Sequence, residues 1–592
     1  MTATPTRQPT ATEHARHSAE LRGVARAGTI SLVGSATSAL LGFVLVVQVS
    51  RGLGAAGAGA FSVVVAVAMM LAVAGRFGTD TALVRMAPRL RALGRTRDID
   101  AAAVAALAPV FVGTTLLAAT AWWAAPLLVD LVFEQPTPPG AVWLIRVGVT
   151  TVPLAATGYV ALAVTRGLGS IVPLTMVESI TKPVLRCVFV AVAVAVAHQR
   201  WPDAELSAAP VLWTTVAWAV PTLLGGVWSA ILAHRALRAV RAEPDAIPGD
   251  ADAIPGGTGD GGAASPSGVA ATWRELWRFA TPRAAASACE IAGMHAGIIL
   301  VSALAGVTEA GVYNAALRLA LAGTLALQAL RLAIAPTLAR LLTVGDTAGV
   351  EHLHRTAAVW ITVVSFPLYL VFAVWPSEVL RLFGPGFSVG GPALALLAAG
   401  TLVNLATGPV STLLLMSGRS TLTLAVTATS LTCGIALAVV LIPRYGVTGA
   451  AIAKAAAVVG ENVAITLIVR RTVGVRTLSR PLLRATAAGA VCFVVPALIY
   501  DVATGHAVPD FRAAVILVLL GSVGYLVLLR RWRGEFALAD LAAALPTHRL
   551  RLPGSRLHRS AGRRRPVEPH DPAEPPPRRT DPPPSDASKE YR

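Results

Sequence analysis

Charge is what this chain has least of. Of 592 residues 14% are Asp, Glu, Lys or Arg, 55% are hydrophobic, and the mean hydropathy is +0.65. That excludes an ordinary soluble globular domain, about a quarter of which is charged. Cysteine is scarce: Cys187, Cys289, Cys433 and Cys492 all sit in apolar runs without paired spacing, so neither a disulfide framework nor a metal site is implied. The pair His352 and His354 in "EHLHR" stands in a polar turn without further ligands and reads as surface histidines. No nucleophile beside a base, no phosphate-cradling glycine loop, no cofactor motif and no metal set is visible, so catalysis has no support in the sequence. Lysine occurs only at 182, 454 and 589. Two of the three fall inside apolar segments, a hint that a compact ammonium matters there.

What the chain has is long apolar runs. Windows able to cross about 30 Å of hydrocarbon fall at 28–49, 57–75, 103–129, 141–164, 210–233, 284–305, 311–335, 356–375, 391–416, 421–442, 448–469, 485–500 and 511–529. A fourteenth is hidden. The apolar stretch from Cys187 to Ala197 is too short to cross by itself, so its span must take in "ESITKPVLR" upstream, charges included. The fold expected is all-α and polytopic, with about 14 transmembrane helices.

Arginine sets the orientation. With the N-terminus in the cytoplasm, the inward turns carry "GRFGTDTALVRMAPRLRALGRTR", "HRALRAVRAE" and "RRTVGVRTLSRPLLR", whereas the outward turns, such as "FEQPTPPG", "GVTE" and "FGPGF", carry almost none. This positive-inside pattern predicts two cytoplasmic termini. It also accounts for much of the net charge of +18, with anionic membrane lipids as the natural partner and no nucleic acid required.

The chain repeats itself. "VSRGLGAAGAGAFS" (49–62) aligns without a gap on "VSALAGVTEAGVYN" (301–314), matching Gly54 to Gly306, Gly59 to Gly311 and Phe61 to Tyr313. The same spacing pairs Arg26 with Arg278, Thr29 with Thr281 and Ser35 with Ser287. Both copies start inside and turn outside. Such a parallel duplication gives two bundles related by an axis along the membrane normal, with a substrate site between them. The partition is then 1–25, a disordered cytoplasmic N-terminus; 26–242, a first six-helix bundle; 243–272, a flexible Gly/Pro/Asp linker; 273–472, a second six-helix bundle; 473–532, a C-terminal helix pair; and 533–592, a basic, Pro-rich cytoplasmic tail.

"SRGLGAAGAGAFSVVVAVAMMLAVAGRFG" at 50–78, its second-half echo, and "VLIPRYGVTGAAIAKAAA" at 440–457 resemble the oligosaccharide flippase (Wzx-like, polysaccharide transporter) branch of the multidrug/oligosaccharidyl-lipid/polysaccharide exporter superfamily. The resemblance spans roughly residues 25 to 530. It implies a central cavity between two six-helix bundles in a bacterial plasma membrane. It further implies transfer of an undecaprenyl-diphosphate-linked glycan to the outer leaflet, with a polysaccharide polymerase and glycosyltransferases as partners. A lipid II flippase, a cation-coupled multidrug exporter and a non-transporting scaffold for cell-wall enzymes are the alternatives.

The repeat separates scaffold from candidate site. Arg318 aligns with Ala66 and Glu290 with Ser38, so neither charge is demanded by the architecture. On one continuous helix Asn314, Arg318 and Gln328 would share a stripe roughly 80° wide, fit to line a wet cavity. Arg283, Ser287 and Glu290 share a face. Glu178, Lys182 and Arg186 recur every four residues, with Pro183 expected to kink their helix. Lys454 and Glu461 are seven apart, and Asn404 and Pro409 mark a polar, breakable stretch. Substrate binding is expected of Arg283, Arg318, Asn314, Lys182, Arg186, Lys454 and Asn404, because guanidinium and ammonium groups in a low-dielectric cavity suit a diphosphate. Ion coupling is expected of Glu290, Glu178 or Glu461. The competing reading for each charge is an ion pair that satisfies itself. Arg76 and Asp80 read as an i,i+4 salt bridge at the membrane surface.

Overall fold

The computed structural model describes residues 11–93, 95–200, 208–242, 269–477, 479–504, 511–532 and 534–536. Most of the linker and nearly all of the basic tail lie outside them. Among the described residues the chain is nearly all helical and has no strand. The first half comprises α1 (Ala11–Ala74), α2 (Thr79–Ala92), α3 (Thr96–Trp123), α4 (Ala125–Val132), α5 (Ala141–Thr150), α6 (Val152–Gly167), the single turn α7 (Val172–Leu174), α8 (Lys182–Arg200) and α9 (Ala208–Arg241). The second half comprises α10 (Val269–Ala305), α11 (Val307–Ala322), α12 (Thr324–Thr343), α13 (Thr347–Val374), α14 (Pro376–Leu380), α15 (Gly391–Ala406), α16 (Val410–Met416) and α17 (Ser420–Thr472). A C-terminal group follows: α18 (Arg480–Gly489), α19 (Val495–Ala503) and α20 (Phe511–Arg531), packed against α13.

Eleven of the helical stretches among the described residues are long and apolar enough to cross a membrane. Two of these hold a pair of expected windows each: α1 is interrupted at Gly54 (φ 68°, ψ −176°) and α17 at Gly446 (φ 52°, ψ −133°). The window 311–335 is instead shared between α11 and α12, which meet at Gly323. The single stripe drawn through Asn314, Arg318 and Gln328 therefore spans two helices.

The repeat reads directly into the packing. Gly54 and Gly306, 252 residues apart in the alignment, both take positive φ (68° and 88°) with extended ψ, so each copy breaks its helix at the same place. Beyond the break, α1 and α11 touch backbone to backbone. A β-carbon added at Gly59 would stand 1.7 Å from the Val307 carbonyl oxygen, and one at Gly311 would stand 2.1 Å from the Ala55 carbonyl oxygen. Ala55 and Val307 are themselves repeat equivalents. The contact is thus reciprocal, as a local two-fold axis between Gly59 and Gly311 requires, and small residues are what allow it.

The turns between helices meet at one end of the two bundles. There the Arg51 Nε donates to the Leu382 carbonyl (2.8 Å), the Glu134 amide donates to the Ser302 carbonyl (3.0 Å), and Phe43 meets Phe383 edge-on. The Glu309 carboxylate accepts from the Val447 amide at the α17 break. At the opposite, arginine-rich end, Arg89 pairs with Glu275 (2.6 Å) and the Trp277 indole donates to the Ala105 carbonyl (3.3 Å).

Four expectations need correction. Residues 11–25, read as disordered, belong to α1. The first arginine-rich turn contains the helix α2. Its Ala82, Leu83, Ala87 and Leu90 are buried while Arg85, Arg89 and Arg91 face out, an amphipathic pattern that the density of arginines masked. Arg76 and Asp80 form no ion pair: α1 ends at Ala74 and α2 begins only at Thr79, Phe77 and Gly78 take positive φ between them, and Arg76 lies over the Tyr159 ring at 3.8 Å. His354 is fully buried while His352 is exposed. Two positions apart on α13 they face opposite sides, so they were never one surface pair.

Candidate functional site

A cavity of about 260 Å³ lies between the two bundles. Its walls bring together two arginines that the sequence placed far apart, Arg186 of the first bundle and Arg318 of the second. Arg186 owes its position to a local departure from α-helical winding. Residues Thr175–Thr181 form a π-helical turn just before Pro183, whose ring cannot tolerate an ordinary turn behind it. From there Arg186 reaches α9, where its guanidinium sits 5.0 Å above the Trp218 ring and donates to the Thr222 hydroxyl (2.9 Å). Arg318 lies one helical turn past Asn314 on α11. It makes no ion pair or hydrogen bond among the described residues, and its surroundings bury it.

The floor of the cavity is the repeat axis itself. Asn314 and Ser62 are repeat equivalents, 252 positions apart, and the Asn314 Nδ2 donates to the Ser62 Oγ at 2.9 Å. Symmetric positions have been given unlike side chains, a donor amide and an acceptor hydroxyl, so the pair completes itself. Both residues line the cavity, together with Ser38, Trp218 and His295. No carboxylate lines it among the described residues. The walls thus hold two guanidinium groups among mostly apolar side chains, while Glu178, within electrostatic reach of Arg186, stands outside the cavity and pairs with Lys182.

The other candidates lie elsewhere. Lys182 is buried against Glu178 at 2.5 Å, its stem laid over Gly225, so this pair satisfies itself. Arg283 and Glu290 stay on one face of α10, as their spacing suggests, and approach to 3.4 Å in an open setting. Lys454, Glu461 and Glu290 line a second cavity of about 250 Å³, enclosed by α10, α11 and α17 within the second bundle. There Lys454 donates to the Gly293 carbonyl (2.9 Å) and Glu461 accepts from the Thr427 hydroxyl (2.7 Å). Asn404 lines neither of these two cavities, and its neighbour Thr407 bonds Asn462 instead (2.9 Å). Among the described residues no group of three or more His, Cys, Asp or Glu could hold a metal ion.

Two bundles of membrane-length helices related by a repeat axis, with a cavity between them, define a multi-pass membrane transporter of the flippase and exporter type. The comparisons agree. The model of the polysaccharide biosynthesis protein family matches residues 24–342, more than half of the chain, and the chain belongs to that family. The lipid II flippase MurJ in an inward closed conformation superposes with a TM-score of 0.63 at 12% identity, covering 86% of this chain and 99% of its own. An inward-facing multidrug resistance MATE family transporter of the MOP superfamily gives 0.57 at 15% identity, covering 74% and 94%. A point mutant of the Vibrio cholerae MATE transporter VcmN gives 0.50 at 14%, covering 79% and 99%. At these identities the likeness is one of fold. No curated protein sequence matches the chain.

His295 was missed by the sequence reading, although it carries the signal that exposed Arg318: an ionisable residue inside an apolar run, at a position where the repeat has Phe43. The pairing of Arg186 with Arg318 had no such signal, because it crosses from one bundle to the other.

Proposed function

We propose that the protein carries a diphosphate-linked glycan lipid, a polysaccharide repeat unit on undecaprenyl diphosphate, from the inner to the outer leaflet of a bacterial plasma membrane. The observation that carries this reading is the inter-bundle cavity with Arg186 and Arg318 on facing walls and no acid between them. A diphosphate headgroup is too costly to pass through hydrocarbon unaided. Two guanidinium groups offer it bidentate, charge-assisted hydrogen bonds at a place where water is sparse. The prenyl chain remains in lipid while the bundles rock about the Gly59–Gly311 contact, giving alternating access. The arginine-rich end faces the cytoplasm, with the N-terminus and the basic tail on the same side, the latter against anionic lipid. Lys182, Arg283, Lys454 and Asn404 act as supports and as mouth residues rather than as headgroup ligands. Glu290 and Glu461, in the second-bundle cavity, are better placed for ion coupling than Glu178, which Lys182 holds. No chemical step is assigned; polymerase and glycosyltransferases act before and after transfer.

The test is Arg186→Ala and Arg318→Ala, singly and together, in cells lacking the chromosomal copy. Glycan-lipid should strand in the inner leaflet while the protein accumulates normally. Unchanged surface polysaccharide would overturn the reading. Lipid II has the same diphosphate and is resolved by supplying each lipid separately to proteoliposomes. A drug exporter would transport organic cations and ignore both. A scaffold would survive the arginine changes and fail when residues after 534 are removed.

A further inference from the structure

One group in the proposed headgroup site is left without a role. His295, on α10, lines the inter-bundle cavity, and its Nδ1 is buried without a hydrogen-bond partner among the described residues. The imidazole stands within electrostatic reach of the Arg318 guanidinium. Each wall around it can be read for charge. From α11 it faces Arg318 and Asn314, from α8 Arg186, from α9 Trp218, and from α1 the hydroxyls of Ser38 and Ser62. The carboxylates nearby in sequence or packing are engaged outside the cavity: Glu290 with Arg283, Glu461 with Thr427 in the second cavity, and Glu178, within electrostatic reach of Arg186, with Lys182.

An imidazolium at this place would add a third positive charge to a cavity that holds two and no negative one. A bound diphosphate reverses that balance, since its oxygens supply the acceptors that the unpartnered nitrogen lacks. Ligand and proton must then favour each other, and by linkage the favour is mutual. A histidine is the side chain whose ordinary titration range makes such an exchange possible near neutral pH.

We propose that His295 is the proton-binding member of the headgroup site: it takes a proton from solution when a diphosphate occupies the cavity and returns it when the cavity empties. This rests on the reading of the cavity as a diphosphate site. Each headgroup that crosses is thereby accompanied by one proton, and the pH on either side of the membrane biases where the headgroup is released.

The experiment uses the full chain in lipid nanodiscs with geranylgeranyl diphosphate as the probe. Proton uptake on binding is obtained calorimetrically from pairs of buffers with different ionisation enthalpy, between pH 6 and pH 8. Wild type should take up more protons than the free diphosphate's own titration provides, approaching one extra per ligand. His295→Gln should abolish the excess and flatten the pH dependence of affinity, removing up to about a tenfold gain per pH unit. His295→Phe, which installs the residue found at the repeat-equivalent position, gives a second non-titrating variant. Wild-type uptake equal to that of the free ligand overturns the proposal without any variant having to fold; so does an excess that persists in either variant. Absence of probe binding to wild type at every pH would instead remove the headgroup reading itself, and this proposal with it. Arg318→Ala should weaken binding across the whole pH range, which separates loss of the anion site from loss of the proton.

Discussion

The two bundles share a plan and treat their buried charges in opposite ways. In the first, α1 lies close against the π-helical turn and α8. A β-carbon at Gly34 would stand 2.3 Å from Thr175, one at Gly52 would stand 2.4 Å from Val194, and the Lys182–Glu178 pair is sealed against Gly225. In the second, the repeat-equivalent positions are Ala286 and Leu304, and a cavity opens between α10 and α17, lined by Lys454, Glu290 and Glu461. Gly225 leaves room for the Lys182 stem in the first bundle, whereas Lys454 in the second lies beside a cavity. One half of the molecule therefore packs closely around its ion pair and carries Arg186 to the inter-bundle cavity. The other keeps Lys454, Glu290 and Glu461 beside a cavity of its own.

The comparison breaks most severely at the axis that both bundles share. Gly59→Ala and Gly311→Ala each place a methyl group inside a backbone oxygen's radius, and the cost should exceed the usual about 1–3 kcal/mol of overpacking. The check is folded yield and melting temperature in detergent, with Gly42→Ala and Gly460→Ala, which meet nothing within 4 Å, as silent controls. Next comes the sealed pair. Lys182→Met leaves the half-buried Glu178 without its ion-pair partner, with Arg186 and Arg76 still in electrostatic reach, and should cost about 3 kcal/mol, whereas the double change Glu178→Leu with Lys182→Met should recover part of it. The matching change in the open bundle, Lys454→Met, removes one charged hydrogen bond and should cost about 1.5–3 kcal/mol. Equal losses for the two lysines would show that the bundles are not different after all.

Smaller effects sharpen the same contrast. Arg76→Ala, removing the stack on Tyr159 at the α1–α2 junction, should lower stability by about 2 kcal/mol, read from thermal unfolding. Arg283→Ala and Glu290→Gln, an open pair 3.4 Å apart, should each change stability by less than about 1 kcal/mol. Transport assayed on those two variants then reports on coupling or entry without a folding defect behind it.

Much of this molecule was legible before any coordinates. Hydrophobic windows are local sums, and most of them fall on helical backbone, with eleven stretches among the described residues long and apolar enough to cross a membrane, because a chain in lipid must satisfy its own amides within the segment. The duplication was legible too, since Gly54 and Gly306 have to be glycine wherever φ is positive, and Gly59 and Gly311 wherever backbones touch. The spacing of Glu178 and Lys182 carried their ion pair as the competing reading to substrate binding and ion coupling, as an i,i+4 contact needs only a helix, and the pair is what forms. α2 was hidden because so many arginines in a short stretch read as a polar turn, although Ala82, Leu83, Ala87 and Leu90 are buried. The stripe through Gln328 failed because Gly323 divides the segment, and no hydropathy window registers a bend.

The sequence by itself determined the helices, the repeat and the small residues on the axis, all of which follow from short-range periodicity or from comparing the chain with itself. Tertiary structure alone decided which charges line one cavity. Arg318 and Arg186 are 132 positions apart (318 − 186), on different bundles, and nothing near either one in the chain names the other. Whether a buried cation is satisfied depends on what the opposite wall supplies, and Glu178 faces Lys182 while no acid faces Arg318.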